Sequence, residues 1–483
     1  MKIPAKFFKN NFLLNSLVFF NLILTFFLIA NCKLSLASKI QENLPLKDTD
    51  VYNSALKHYP EILKFYEKIS ASQGDVQSSL GLFDIKLKGG YQDKTRGFYD
   101  GKISDISIEK QNGFLGSKFY GGYRKSYGNF ADYDGDNLTN SRGEYRIGGS
   151  VSILRNRAID NNRLDLILNE LQLQENQTQL EKIQLEVKRD ALKSYYNWLI
   201  AGHIFKTYQE LYDLAKKRQQ QLEVRHKKGD IAKIILTENE RNILKRNSLM
   251  LEAKNDFINS AIAMSLYYRN PDSLPIVANE KQLPNIDFLK EDFAKKNLDQ
   301  DLQFALENRP ELKILKIKIS KEQNKLQIAN NLYQPKLDLT FEASKDQGKG
   351  PESRLQTNNQ VKIDFELPIQ QNIAKGKILE SSSQINFLKI DENFFRDKIS
   401  NEIKEINNSL QTMVIIFQNY FNEYRLSHLL EIAEKERFIQ GNSDFFLINL
   451  REQEVATAKI NKLLAFLKYQ SLNADYQVAI FKK

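Results

Sequence analysis

The sequence holds one cysteine, Cys32, in 483 residues. Once a leader ending near Ala37 is removed no thiol remains, which excludes disulfides and thiolate metal sites. The four histidines, His58, His203, His226 and His428, lie far apart and form no metal-ligand spacing. No nucleophile motif, phosphate loop or paired-carboxylate context is found, so no catalytic residue, cofactor or metal ligand is assigned and the chain reads as a non-enzyme. "DYDGDN" (132–137) has a misplaced glycine and lacks the terminal glutamate of a calcium loop, and it reads as a polar external turn. A mean hydropathy of −0.49 is too low for a polytopic helical membrane protein. Proline is missing, and glycine nearly so, from two stretches of about seventy residues, 158–225 and 373–439.

What is present begins with an export signal. Lys2, Lys6 and Lys9 precede an apolar run from Phe12 to Ala30, followed by the small-x-small site Ser35-Leu36-Ala37, so 1–37 reads as a signal peptide. An uncleaved anchor and lipidation of Cys32 compete with this reading; Asn31 stands where a small residue usually precedes a lipidated cysteine. The leader carries four lysines and no acid, and its removal takes the formal charge from +10 to +6. Charges of both signs are interspersed on helices as on a solvated face, and no nucleic-acid partner is expected.

The chain repeats itself. "ALKHYPEILKFYEKISASQGDVQSSLGLFDIKL" from Ala55 aligns without a gap on "ALENRPELKILKIKISKEQNKLQIANNLYQPKL" from Ala305, pairing Ala55 with Ala305, Pro60 with Pro310 and Leu87 with Leu337. A second repeat, at an offset of 212, pairs Gly229 with Gly441 and Glu240 with Glu452. The organisation expected is a first repeat over 48–270, with strands about 83–154, and a second over 301–483, with strands about 335–369. An irregular, proline-bearing connector over 271–300 separates them.

Each opening motif leads into residues that alternate with period two. Leu337, Leu339 and Phe341 point one way and Lys336 and Asp338 the other; the return segment sets Val361, Ile363 and Phe365 against Lys362, Asp364 and Glu366. Such strands fit a sheet over water, or a barrel between lipid and a wet lumen, in which case the apolar set faces lipid and the charged set the lumen. Tyr123, Tyr127 and Tyr145 suit an interfacial girdle. The first strand region is about 36 residues longer than the second, with an extra candidate hairpin around Asn112-Gly113; an extended loop is the preferred reading of 93–143 over added strands.

The proline-free stretches predict helices of ~100 Å. Ile399, Ile403, Ile406, Leu410, Met413, Phe417, Tyr420 and Tyr424 form a heptad seam. The first helix carries two seams about 140° apart, Leu166/Leu173/Leu180/Val187 and Leu171/Leu185/Leu192/Leu199, which suits a neighbour on each side. Trp198 is a packing residue. Gly229 and Gly441 end the helices and start antiparallel returns.

In this order, duplicated and with these spacings, "ENRPELKILK", "LYQPKLDLTF", "FELPIQQNIAKGK", "RHKKGDIAKIILTENE" and "ERFIQGNSDFFLINLREQE" resemble the TolC-like outer-membrane efflux proteins over nearly the whole mature chain. The resemblance implies a mixed α and β membrane protein: a trimeric outer-membrane β-barrel, with four strands per chain and room for more, continuing into a long periplasmic α-helical barrel built from two structural repeats. It implies an outer-membrane channel subunit of a tripartite efflux or type I secretion system in a Gram-negative-type bacterium. The partners it implies are a homotrimer, a periplasmic adaptor (membrane fusion) protein, an inner-membrane pump and outer-membrane lipid. Lys228, Gly229, Asp230, Gly441, Asn442 and Asp444 would form the periplasmic tip that meets the adaptor. Leu447 and Leu450 stand where some members carry entrance-constricting aspartates, so an acidic ring is not carried over. A periplasmic coiled-coil adaptor would share the helices and turns but not two lipid-patterned strand pairs; a structural surface protein would share the barrel alone.

Overall fold

A computed structural model describes residues 44–131, 137–286 and 297–482. The expected signal peptide with Cys32, and most of the acidic "DYDGDN" turn, lie outside the described residues. The first half runs α1 (Asp48–His58), α2 (Pro60–Leu80), β1 (Ile85–Asp93), β2 (Lys102–Gln111), β3 (Lys118–Tyr127), β4 (Glu144–Ser152), α3 (Asn161–Lys227) and α4 (Lys233–Met264). The second runs α5 (Leu298–Asn308), α6 (Pro310–Leu332), β5 (Lys336–Asp346), β6 (Asn358–Glu366), α7 (Asn372–Ile439) and α8 (Phe445–Ala479).

The first repeated motif is one packing solution used twice. Pro60 and Pro310 occupy the first turns of α2 and α6, where the missing N–H costs nothing. Just before them, the Tyr59 and Arg309 N–H groups donate to the Ala55 and Ala305 carbonyls, both at 2.9 Å. Ala55, Ala305, Ile62 and Leu312 are buried at matching places in two separate cores. The first core joins α1–α4 around Trp198; the second joins α5–α8 around Ile403 and Tyr476. A third cluster, Ile200, Phe417, Leu463 and Phe466, fastens the halves together.

At ~1.5 Å per residue, the 67 residues of α3 and 68 of α7 each span ~100 Å. Near the sheet α3 lies between α2 and α6, with α7 beyond; further away it lies between α4 and α8, again with α7 at the edge. The two seams of α3 are not divided between its two sides: Leu180 and Val187 of one and Leu199 of the other are buried in the same first core, while Leu185 and Leu192 are buried outside it. Along α7, Ile399, Ile403, Leu410 and Phe417 of the heptad seam are buried.

All six strands form one antiparallel sheet in the order β1-β2-β3-β4-β5-β6. This corrects the expectation of four strands with 93–143 as a loop: the segment supplies β2 and β3. They are strands because each finds a partner on both sides, Leu87 opposite Ile108 and Gly121 opposite Ile147. The connection between them is also longer than an Asn-Gly hairpin. Its left-handed residues are Leu115 (φ 54°) and Gly116 (φ 59°), and the Asn112 N–H closes it on the Ser117 carbonyl at 2.8 Å. This turn sits at the helix end of the sheet, where the Arg163 guanidinium of α3 donates to the Gly113 carbonyl and binds the Asp160 carboxylate at 2.9 Å.

Trp198 has no exposed surface and stacks on Phe257 at 6.0 Å between ring centres. Trp198→Ala is expected to destabilise the first core by about 3–5 kcal/mol. Circular dichroism of the purified protein would register this as a lowered thermal midpoint for loss of helix.

Candidate functional site

Strand residues alternate between two faces, and the register of all five pairings keeps those faces in phase. Leu337 lies opposite Phe365, Leu339 opposite Ile363 and Phe341 opposite Val361. All six therefore share one face with Ile85, Leu87, Ile106, Ile108, Phe119, Tyr145 and Ile147, and most of this apolar surface is exposed. An exposed apolar face of this extent marks an interaction surface; the same face also carries Lys110, between Ile85 and Phe119, and toward the other end of the strands Asp93, Lys102, Lys125 and Lys345. Tyr123 and Tyr145 stand on it side by side, ring centres 5.0 Å apart, with Tyr127 on the same face.

Lys336, Asp338, Lys362, Asp364 and Glu366 share the opposite face. Lys336 lies opposite Glu366, Asp338 opposite Asp364 and Thr340 opposite Lys362. The facing carboxylates of Asp338 and Asp364 are offset by flanking lysines, Lys336 to Asp338 at 3.5 Å and Lys362 to Asp364 at 2.9 Å. The strands added by 93–143 extend this charged face. Asp105 is held between Arg124 and Arg146, and Glu109 between Lys88 (2.6 Å) and Lys118 (3.1 Å). Tyr120 crosses over Gly148, where a Cβ would stand 2.5 Å from its ring, and donates to the Glu342 carboxylate at 2.5 Å. Side chains on this face therefore bridge neighbouring strands through ion pairs and hydrogen bonds.

At the far end of the helices the two turns are built alike. Gly229 (φ 82°) and Gly441 (φ 79°) are left-handed, and the N–H groups of Asp230 and Asn442 donate back to the Arg225 and Arg437 carbonyls at 3.0 and 2.8 Å. This is the glycine helix stop with its six-to-one hydrogen bond. A Cβ on either glycine would meet nothing within 4 Å, so the left-handed backbone alone demands glycine. Lys228, Asp230, Asn442 and Asp444 are exposed around these turns. Asp444 has structural work as well: its carboxylate accepts from the Leu447 N–H at 2.8 Å and caps α8. Its counterpart at the 212-residue offset, Ala232, caps α4 without a side-chain bond.

Two features escaped the sequence reading. Ile234 and Phe446, equivalent under the same offset, project from the first turns of α4 and α8 and are 68% and 64% exposed. The offset itself could have flagged them. The second is a buried cluster of charge several turns from the tip. The Glu452 carboxylate of α8 accepts from Arg218 of α3 and, at 3.1 Å, from Arg246 of α4. Arg218 also donates to Asn449 at 2.8 Å, and Arg246 to the Leu211 carbonyl at 3.0 Å. Burial lowers the Arg246 pKa from its ordinary value, opposed by the charge of Glu452. Glu240, the equivalent of Glu452 in the other repeat, is exposed.

Removing one member of a buried ionic cluster leaves its partners charged and dry. Glu452→Gln is expected to cost about 3–5 kcal/mol. Glu240→Gln is expected to stay within about 0.5 kcal/mol, as for a surface change. Unfolding midpoints of the two variants, measured side by side, check this.

A scan against protein-family models and a search of curated proteins gave no match. Solved structures do match. The outer-membrane channel CmeC of Campylobacter jejuni is 13% identical with a TM-score of 0.61, covering 90% of this chain and 85% of its own. MtrE of Neisseria gonorrhoeae, an outer-membrane channel solved in an open state, is 12% identical with a TM-score of 0.62, covering 89% and 88%. The outer-membrane protein VceC of Vibrio cholerae is 11% identical with a TM-score of 0.61, covering 90% and 95%. With its duplicated helices, glycine turns and antiparallel sheet, the chain has the TolC-like fold of these outer-membrane channels.

Proposed function

We propose that the chain is one subunit of a homotrimeric outer-membrane export channel, passively conducting substrates delivered by an inner-membrane pump through a periplasmic adaptor. The observation that carries this is the two-faced sheet whose strands run directly into ~100 Å helices. Strands of 9 to 11 residues match the length needed to cross a bilayer when tilted. The apolar face suits lipid and the charged face a water-filled lumen, since a charge turned toward hydrocarbon costs several kcal/mol. Both sheet edges, β1 and β6, are unpaired within the chain, and such edges cannot lie open in lipid. No helix among the described residues is long and apolar enough to cross a membrane.

Channel activity in a planar bilayer is the direct test: discrete conductance from the purified protein supports the proposal, and a folded protein that never conducts defeats it. The faces give a sharper prediction. Phe341→Arg and Ile363→Arg are expected to impair insertion by about 2–4 kcal/mol near the bilayer midplane. Asp338→Asn and Lys362→Leu should insert normally and change conductance. Equal behaviour of the two pairs in insertion assays would reverse the assignment.

The helix turns, in the same reading, form the periplasmic tip. Ile234 and Phe446 offer an adaptor the apolar anchors that the exposed polar residues around Gly229 and Gly441 do not. Gly229→Val and Gly441→Val are expected to leave insertion intact while weakening adaptor docking and transport. Cysteines at Asp230 and Asp444, in a Cys32→Ser background, should crosslink to the adaptor; labelling of them from outside the cell would refute the placement.

A further inference from the structure

The apolar face of the sheet is not smooth. Gly149 stands between Phe119 and Phe341 in one row across β3, β4 and β5, and it puts no side chain into that row. The Phe119 ring leans over it, so that a Cβ on Gly149 would stand 2.9 Å from the ring. One row further from the helices, Gly121 and Ala343 flank Ile147. Small residues beside phenylalanines leave a groove of about 680 Å³, lined by Phe114, Phe119, Ile147, Phe341, Ala343 and Val361. That volume is in the range of small-molecule sites.

The end of the groove away from the helices meets a basic rim. Two residues past Ala343, Lys345 lies opposite Tyr145, whose ring meets that of Tyr123. Lys345 is exposed and makes no ion pair among the described residues. Lys125 of β3 holds its ammonium over the Tyr127 ring at 5.0 Å, and Lys102 of β2 binds Asp93 at 2.8 Å. The strands therefore place three lysines against one aspartate at this end of the face, and Lys110 alone at the helix end. Val151, which lines the groove toward the helices, lies opposite Leu339, six residues before Lys345. Six residues rise ~20 Å along a strand, or ~16 Å along the membrane normal at a tilt of ~40°. One leaflet of a ~30 Å hydrocarbon core has about that depth.

We propose that the groove holds one acyl chain of a phosphorylated glycolipid of the outer leaflet, with a headgroup phosphate on Lys345. The inference rests on the channel reading above, which turns this face to lipid and its lysine-rich end away from the periplasm. The groove walls take the chain, the excess of lysine takes the phosphate, and Tyr123 and Tyr145 stand at headgroup depth. A phospholipid of the inner leaflet would bring its phosphate to the helix end, where Lys110 stands two strands from Gly149 with no second cation on the face.

The test titrates the full chain, purified in detergent, with bisphosphorylated lipid A and counts bound lipid per subunit by native mass spectrometry. A single lipid A per subunit should be held about tenfold more tightly than phosphatidylglycerol or than lipid A stripped of its phosphates. Ala343→Trp, which fills the groove, and Lys345→Glu, which removes the cation, should each weaken retention about tenfold. Lys345→Arg should retain it, and Leu87→Trp, on the same face of β1, should leave it unchanged. Unaltered retention in Ala343→Trp and Lys345→Glu, or equal retention of phosphatidylglycerol or of the dephosphorylated lipid, overturns the site. The channel reading still stands if that same protein conducts in a planar bilayer. A folded protein that neither inserts nor conducts overturns both.

Discussion

Side chains on a strand alternate with period two, and a slip of one residue exchanges every side chain between faces. The six strands hold this alternation in phase from Ile85 to Glu366 across five pairings, including the long-range join of β4 to β5 between the halves. Because no pairing slips, a dozen apolar residues from six separate segments meet on one surface, and Asp105, Arg124, Arg146, Glu342 and Asp338 meet on the other. A single out-of-phase strand would have placed charge among Ile147, Phe341 and Ile363.

The helices follow a second economy, in which each half solves the same local problem with the same atoms. The carbonyls of Ala55 and Ala305 take equivalent bonds, and Gly229 and Gly441 stop their helices with equivalent reversals. The halves part where they touch. Glu452 is buried between two arginines because α8 lies against α3, whereas its counterpart Glu240 lies exposed on α4, at the edge of the helical layer. Duplication supplies the parts, and the asymmetry of neighbours within one copy decides which of them are buried.

Much of this was legible in the residues. Repeats at constant offset located the equivalent prolines and glycines, and the absence of proline with heptad spacing located α3 and α7. The composition of the two sheet faces in β5 and β6 could be read from period two alone. The failures share a physical cause. β2 alternates like a strand in "KISDISIE", but a hairpin that pairs only with itself and one that extends a sheet have the same local sequence. Their distinction lies in Leu87, Tyr145 and Ile147, which come from other segments. Arg218 and Arg246 likewise resemble every other basic residue on a solvated helix, until three helices converge on Glu452.

The hairpin of β2 and β3 also matches two widths. In the barrel of the proposed channel, at a spacing of about 4.8 Å and a tilt of about 40°, six strands would occupy roughly 38 Å of perimeter. Four helices join the sheet directly, α2 and α6 leading in and α3 and α7 leading out. Packed side by side at about 8–10 Å, they occupy roughly 32–40 Å. Four strands would have covered only about 25 Å at the same spacing and tilt, forcing the wall to taper where helix becomes strand. In the barrel proposed here, six strands would let strand and helix layers meet at nearly equal breadth, and the Arg163 contacts to Asp160 and to the turn at Gly113 would brace a straight joint rather than a funnel.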